Sequence, residues 1–167
     1  MKFEYKHVFE APVEKVVEAM FHPEMTAYLK GRMKTLVSIE VLERQDEPGT
    51  IRRRVKYVPV PSIKRIGPKT ITPESMQWIE QSSFDTASRV MTFDNVPTHP
   101  KVRAQMTNSG RIEFRSQGPA RTERVMSGEL KIAFPILGRI AEGIIAKNAK
   151  AILDEEAGLL AEWLKTH

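Results

Sequence analysis

Four polar side chains interrupt otherwise apolar faces and are the groups of this sequence best suited to chemistry: His7, Arg53, Glu80 and Asn148. A histidine or a carboxyl group in an apolar setting can act as a general acid or base, and a guanidinium can bind an anionic group. Each residue also has a purely structural interpretation, as a hydrogen-bonded core residue or as a surface residue. For His7, which alternates with Phe3, Tyr5 and Phe9, the structural role is the commoner one.

Arg53 and Glu80 lie on two predicted strands, and the alternate residues that share a face with each of them are apolar. Arg53 alternates with Val55 and Tyr57, so its guanidinium faces the covered side of the sheet unless a bulge shifts the register. Burying it unpaired is costly, so we expect it to meet Glu80, another acid or the anionic group of a ligand. Glu80 shares its face with Trp78, so a buried Glu80 would also need a partner for its carboxyl group.

Asn148 falls near the centre of the apolar face of a predicted C-terminal helix, between Ile144 and Ile152. A polar residue in that position indicates a wet or ligand-filled space between the helix and the sheet. The alternative is a single amide that is hydrogen-bonded to a strand within a dry core. The sequence leaves both open.

Signatures of metal, nucleotide and nucleophilic chemistry are missing from the sequence. It has no cysteine, and its four histidines lack the spacing of metal ligands. It contains no GxSxG elbow, P-loop or glycine-rich dinucleotide turn. We therefore predict no cofactor, no metal site and no assignable catalytic residue.

The positive charge is concentrated in one segment. The formal net charge is +5, and the stretch from Arg52 to Lys69 holds seven Lys or Arg residues and no acid. Such a segment favours an anionic partner, either a phosphate-bearing ligand or a membrane surface, and the alternative is a solvated strand face with a basic loop. Few aromatic residues are interleaved with it, so a nucleic acid is an unfavoured partner. Within it, Lys64, Arg65 and Lys69 are the predicted membrane contacts.

Hydropathy patterns predict a single domain over residues 1–167, because no linker or repeat divides the chain. The prolines and glycines of 59–73 favour a loop there. A turn is predicted at Asn95–Pro100, and Asn108-Ser109-Gly110 is a turn sequence that could interrupt the strand predicted over 101–116. The predicted strands cover about 2–10, 34–44, 49–58, 75–83, 87–95, 101–116 and 121–134. The predicted helices cover about 13–20, 23–30 and 136–165.

The order of strand, two short helices, strand meander and long helix predicts an α+β fold. It resembles the START-like, or helix-grip, superfamily, which includes the polyketide cyclases. The resemblance rests first on the stretch from His7 to Val16, a strand that runs into a helix led by Ala11 and Pro12. It implies a curved antiparallel sheet of six or seven strands around the C-terminal helix. An uncharacterised bacterial START-like family is similar in length.

A weaker similarity connects the sequence to the PRELI-like phospholipid-transfer proteins. It comprises short matches at His7-Val8-Phe9, Val41-Leu42-Glu43-Arg44, Val60-Pro61-Ser62-Ile63 with Ile66-Gly67, Glu142-Gly143 and Glu162-Trp163. The sequence departs from that family in showing no targeting segment and no partner surface. We therefore expect a cytoplasmic protein, with peripheral membrane contact through the basic loop.

The resemblances imply that a cavity between sheet and helix binds or transfers a lipid or other hydrophobic molecule. The alternative is an enzyme of the polyketide cyclase or small-hydrolase kind, with His7 or Glu80 as the acid or base. The expected partner is a hydrophobic or amphipathic small molecule such as an anionic lipid, and the oligomeric state is not predicted. The predicted ligand-binding residues are Tyr5, His7, Arg53, Tyr57, Trp78, Glu80, Ile144, Asn148 and Ile152.

Overall fold

The computed structural model describes residues 1–66, 68–133 and 138–167, with only the backbone of Ile66 and Lys69. Its main feature is a curved, fully antiparallel sheet of seven strands in the order β1-β9-β8-β7-β6-β3-β2. A separate two-stranded hairpin, β4 and β5, lies within the segment that the sequence predicts as a loop. The strands are β1 Lys2–Phe9, β2 Leu36–Glu47, β3 Thr50–Pro59, β4 Arg65–Ile66, β5 Lys69–Thr70, β6 Trp78–Asp85, β7 Val90–Pro97, β8 Met106–Ser116 and β9 Thr122–Ile132.

Four α-helices and one 3₁₀ turn, Glu74–Met76, complete the described structure. The helices are α1 Val13–Met20, α2 Met25–Lys30, α3 Pro100–Arg103 and α4 Gly138–Thr166. Helix α4 contacts β1, β9 and α1, so it covers one face of the sheet, which we call the inner face. None of the described helices is long and apolar enough to cross a membrane.

The inner face follows from strict alternation along the strands. On β1 the side chains of Phe3, Tyr5 and Phe9 face the covered side, while Lys2 and Glu4 are exposed. Burial of the apolar side chains drives the packing of α1, α2 and the C-terminal half of α4 against one end of the sheet. At that end Phe84, Leu160 and Trp163 belong to the core.

Glu155 joins α4 to the beginning of β2. Its carboxylate accepts hydrogen bonds from the backbone N–H groups of Lys34 and Thr35, at 2.7 and 2.9 Å. Partial burial opposes ionisation, but the hydrogen bond from the Thr35 hydroxyl and the two backbone contacts outweigh it and lower the pKa of Glu155. The C-terminal half of the helix is thereby held in place over the sheet.

The structure confirms the α+β prediction and corrects four of its details. The start of the strand predicted over 101–116 is helix α3, Pro100–Arg103, so β8 begins only at Met106. Strand β7 continues to Pro97, through the start of the predicted turn, and β8 passes without interruption through Asn108-Ser109-Gly110. The predicted loop 59–73 contains the hairpin of β4 and β5. Residues 136 and 137 of the predicted helix lie outside the described residues.

Gly110 is required by close contact between strands, and not by a turn. It pairs with Gly128 of β9, and a Cβ atom at Gly110 would lie 2.2 Å from the carbonyl oxygen of Ser127. A Cβ at Gly128 would lie 2.7 Å from Cζ of Phe3, and one at Gly110 would lie 2.9 Å from Cζ of Phe93. Two aromatic rings therefore occupy the space that side chains would need.

Candidate functional site

A cavity of about 960 Å³ lies between the inner face of the sheet and α4. Helices α1 to α3 and the segment from Ile63 to Met76 also contribute to its wall. A smaller depression of about 300 Å³ crosses β2, β3, β6 and β7, but most of its lining side chains are charged or polar. The larger cavity has the apolar walls and is the candidate functional site.

Eight of the nine predicted ligand-binding residues line this cavity. The structure brings together Tyr5, Arg53, Tyr57, Trp78, Glu80, Ile144, Asn148 and Ile152. The exception is His7, whose place in the fold is described below. The register of the strands explains the clustering, because Tyr57 pairs with Trp78 and Val55 pairs with Glu80 on adjacent strands.

The apolar part of the wall combines flat aromatic and flexible methionine side chains. Tyr57 and Trp78 stack with ring centroids 5.1 Å apart and planes inclined by 10°. Tyr5 donates a hydrogen bond from its hydroxyl to the carbonyl oxygen of Ala146, at 3.0 Å, which connects β1 to α4. The methionines that line the cavity are Met20, Met25, Met33, Met76, Met91, Met106 and Met126.

Arg53 faces the cavity side, as its register predicts, but it does not form the expected ion pair. Its guanidinium carbon lies 4.5 Å from the centroid of the Phe21 ring, and its buried Nε has no hydrogen-bond partner. Among the described residues, no carboxylate oxygen lies within 4 Å of its nitrogens. The flanking Arg52 and Arg54 point outward and pair with Glu47 and Glu43.

Glu80 places a carboxyl group in the cavity wall, beside the side chain of Ser82. It is 8% exposed, and its Oε1 atom is buried without a hydrogen-bond partner. Burial raises the pKa of Glu80, and the positive charge of Arg53 opposes that shift. The pKa of Tyr57 is raised well above its usual value by burial and by the nearby Glu80. Tyr57 therefore keeps its hydroxyl proton and can donate a hydrogen bond towards a ligand.

Two asparagines that the sequence assigned to turns also line the cavity. Asn95 pairs with Glu80 on the adjacent strand, and the pairing of Asp94 with Ser109 places Asn95 beside Asn108. We call Glu80, Asn95 and Asn108 the polar row. The alternation of each strand places these asparagines on the same face as the inner-face residues, and this was the signal that could have identified them. The turn preference of asparagine instead favoured a turn at both positions.

The sequence interpretation also missed Arg124 and Glu156, which both line the cavity. Arg124 is 2% exposed, and its Nη1 atom lies 2.7 Å from Oε2 of Glu156. That contact is an ion pair whose geometry is not that of an aligned hydrogen bond. Alternation with Thr122 and Met126 on β9 placed Arg124 inside, so the strand period was the signal.

His7 belongs to this charged network and does not line the cavity. Its Nε2 lies 3.1 Å from Oδ1 of Asp154, and its Nδ1 lies 3.3 Å from Nη2 of Arg124. Burial and the positive charge of Arg124 lower the pKa of His7, while Asp154 and Glu156 oppose the shift. The histidine therefore connects β1 to α4 and favours its neutral form.

The basic segment from Pro59 to Pro73 contributes side chains both to the cavity wall and to the protein surface. Ile63, Thr70 and Ile71 line the cavity, while Lys64 and Arg65 are exposed. The side chain of Lys69 lies outside the described residues. Within residues 1–66, 68–133 and 138–167, no group of three or more His, Asp or Glu side chains could hold a metal ion.

Solved structures of low sequence identity share this fold over nearly the whole chain. Norcoclaurine synthase from Thalictrum flavum has a TM-score of 0.68 at 12% identity, with 100% of this chain and 87% of that chain covered. The Zhui aromatase/cyclase from Streptomyces sp. R1128 has a TM-score of 0.64 at 17% identity, with coverages of 96% and 93%. A START superfamily protein from Mycobacterium smegmatis has a TM-score of 0.57 at 12% identity, with coverages of 99% and 97%. These similarities confirm the predicted START-like, helix-grip fold.

Sequence comparison gives the family. No curated protein sequence matches this chain significantly. One family model, described as "Protein of unknown function (DUF2505)", matches residues 4–164. That match agrees with the predicted likeness to an uncharacterised START-like family, whereas the weaker likeness to PRELI-like proteins stays a prediction. The chain therefore belongs to the DUF2505 family.

Proposed function

We propose that the whole chain is one ligand-binding domain whose cavity holds a hydrophobic or amphipathic small molecule without transforming it. The observation that carries this proposal is the cavity of about 960 Å³, whose largely apolar wall contains buried polar atoms without partners. Ligand sites in proteins have volumes of about 300–1,000 Å³, with apolar walls and a few polar groups.

The polar atoms of the wall support an occupant that has polar groups of its own. A buried polar atom left without a partner costs about 1–3 kcal/mol. Such atoms occur in several residues that line the cavity, including Arg53 and Asn148. In this proposal the apolar wall holds the body of the ligand, while Arg53, Glu80 and Asn148 orient its polar end.

The proposed route of entry is the basic segment from Pro59 to Pro73. Its apolar side chains Ile63 and Ile71 line the cavity, and its cations Lys64 and Arg65 are exposed. This combination suits transient contact with an anionic membrane surface, from which the ligand would enter the cavity. A cytoplasmic protein in peripheral contact with a membrane would have this arrangement.

The test is native mass spectrometry of the purified protein, followed by solvent extraction and identification of any bound molecule. Ala149→Trp should displace the ligand, because Ala149 lines the cavity, whereas Ala151 is exposed on the same helix and Ala151→Trp should not. A protein that is empty after purification and binds none of a panel of lipids and aromatic compounds contradicts the proposal. Equal ligand content in the two variants contradicts the location.

An enzyme that uses the same cavity is the second candidate function. It is favoured by Glu80, a carboxyl group with a raised pKa in the cavity wall, and by the similar fold of the Zhui aromatase/cyclase. His7 is the weaker acid or base, because it lies outside the cavity lining. Glu80→Gln separates the two functions: an enzyme loses turnover of the extracted molecule and keeps binding, whereas a binding protein has no turnover to lose.

A further inference from the structure

The polar row crosses three adjacent strands of the cavity wall. Glu80 on β6 and Asn95 on β7 are cross-strand partners, and Asn108 continues the row on β8. Neighbouring strands lie roughly 4.8 Å apart, so the three side chains span roughly 10 Å. Each carries a buried oxygen without a hydrogen-bond partner, namely Oε1 of Glu80 and Oδ1 of Asn95 and Asn108.

The surroundings of the row suit a rigid ligand. The stacked Tyr57 and Trp78 lie two residues along their strands from Val55 and Glu80, which places a flat aromatic surface roughly 7 Å from the row. Asn148 of α4 lines the same cavity and has a buried Nδ2 without a partner. The cavity therefore offers amide groups and a flat apolar surface together.

A simple acyl chain cannot use the polar row, because it offers neither donors nor acceptors along its length. Three neighbouring polar side chains would then remain unsatisfied, and each such group weakens binding by roughly 5- to 150-fold relative to a hydrogen-bonded one. Donors and acceptors at intervals of about one strand spacing would satisfy them. Hydroxyl groups in a 1,3 relationship on a ring have about this separation, roughly 4.8 Å.

We propose that the cavity selects a ring-containing ligand with at least two hydroxyl groups along one edge, and that Asn95 and Asn108, whose buried oxygens would accept from those hydroxyls, determine this specificity. The inference rests on the proposed binding function and narrows its ligand class. The raised pKa of Tyr57 is consistent with it, because its protonated hydroxyl can donate to a hydroxyl oxygen of the ligand.

The test compares three fluorescence-competition probes: resveratrol, which is a trihydroxystilbene, stilbene with the same skeleton and no hydroxyls, and hexadecanoate. Wild-type protein should bind resveratrol at least about tenfold more tightly than stilbene. Asn95→Leu and Asn108→Leu should each weaken resveratrol binding by roughly 5- to 150-fold and leave stilbene binding unchanged. Gln81→Leu is the control, since Gln81 is exposed on β6 outside the cavity lining and the change likewise replaces an amide by an apolar side chain.

The folding control is the melting temperature of each variant. Replacing an unsatisfied amide by an apolar side chain of similar shape should leave the melting temperature equal or higher, so loss of binding will not reflect unfolding. Tighter binding of stilbene or hexadecanoate than of resveratrol, unchanged resveratrol binding in both asparagine variants, or a co-purified saturated acyl lipid overturns the inference. Those results leave the proposed binding function standing, whereas an empty protein that binds no probe overturns both.

Discussion

The guanidinium of Arg124 lies 2.7 Å from the carboxylate of Glu156, and this ion pair connects β9, next to the edge strand β1, to α4 beside the cavity. Arg124 is almost completely buried, whereas a fifth of the Glu156 side chain is exposed. The two charges compensate each other where hydration is incomplete. Their closeness explains how an arginine is tolerated on the inner face of β9.

Removing one member of this pair should destabilise the protein. Arg124→Leu leaves the carboxylate of Glu156 without its partner, so we expect a loss of about 3 kcal/mol in the free energy of unfolding. The double variant Arg124→Leu with Glu156→Leu removes both charges and should recover most of that loss. Urea denaturation of the three proteins measures the difference. Equal stability of Arg124→Leu and wild type would show that the pair has no structural role.

His7 should make stability depend on pH in a defined direction. Because burial and Arg124 lower its pKa in the folded state, the unfolded chain binds a proton first as the pH falls below about 6.5. The contribution of His7 is therefore complete above that pH and is lost as the pH falls towards the lowered pKa. His7→Gln should flatten this part of the profile in urea denaturation between about pH 5 and pH 7.5. A variant profile parallel to wild type would contradict the assignment.

Glu80 should show the opposite dependence. Its raised pKa means that the folded protein keeps the proton when the unfolded chain has lost it, so stability falls as the pH rises through and above 4.5. Glu80→Gln is neutral at every pH, and it should therefore be more stable than wild type at pH 7 and equal to it near pH 4. Glu74→Gln, at an exposed carboxyl group, is the matched control. Destabilisation at pH 7 would instead mean that Arg53 requires the charge.

The regular strand and helix periods were sufficient to predict the elements and the α+β class, and the resemblance to the START-like superfamily supplied the arrangement of the sheet around the C-terminal helix. The sequence placed Arg53, Tyr57 and Glu80 on the inner face, since a period of two determines the face on which a strand residue lies. It could not predict that Arg53 would lie over Phe21 and lack an acidic partner, because that contact joins a strand to the end of α1. Long-range contacts of this kind depend on packing and not on local pattern.

The asparagines show how a local preference can be outweighed. Asn95 and Asn108 favour turns, yet both lie within continuous strands. The ladders of β7 and β8 determine their conformation, so the tertiary pairing outweighs the turn preference. For this reason the turn preference concealed two members of the polar row. His7 is a separate case, because its contacts with Arg124 and Asp154 come from β9 and α4 and were not indicated by its apolar neighbours.

Substitution of Gly110 tests the strand interpretation directly. Gly110→Ala would place a Cβ atom 2.2 Å from a backbone oxygen, so we expect a loss of at least about 1–3 kcal/mol in the free energy of unfolding. Gly143→Ala is the control, because this glycine lies in α4 with no atom within 4 Å of the added Cβ. It should gain about 0.5–1 kcal/mol from helix propensity. Equal or higher stability of Gly110→Ala would contradict the close contact between β8 and β9.

Lys64 and Arg65, the exposed cations of the basic segment from Pro59 to Pro73, should determine how tightly the protein binds anionic membranes. Each basic residue near such a surface contributes about 1 kcal/mol, so Lys64→Gln with Arg65→Gln should weaken binding to phosphatidylserine-containing vesicles by roughly tenfold or more. Lys15→Gln with Lys30→Gln removes two exposed charges elsewhere and is the matched control. Co-sedimentation should also weaken as salt is added, because exposed charges are screened. If both double variants bind alike, or if binding is independent of salt, Lys64 and Arg65 do not contact the membrane.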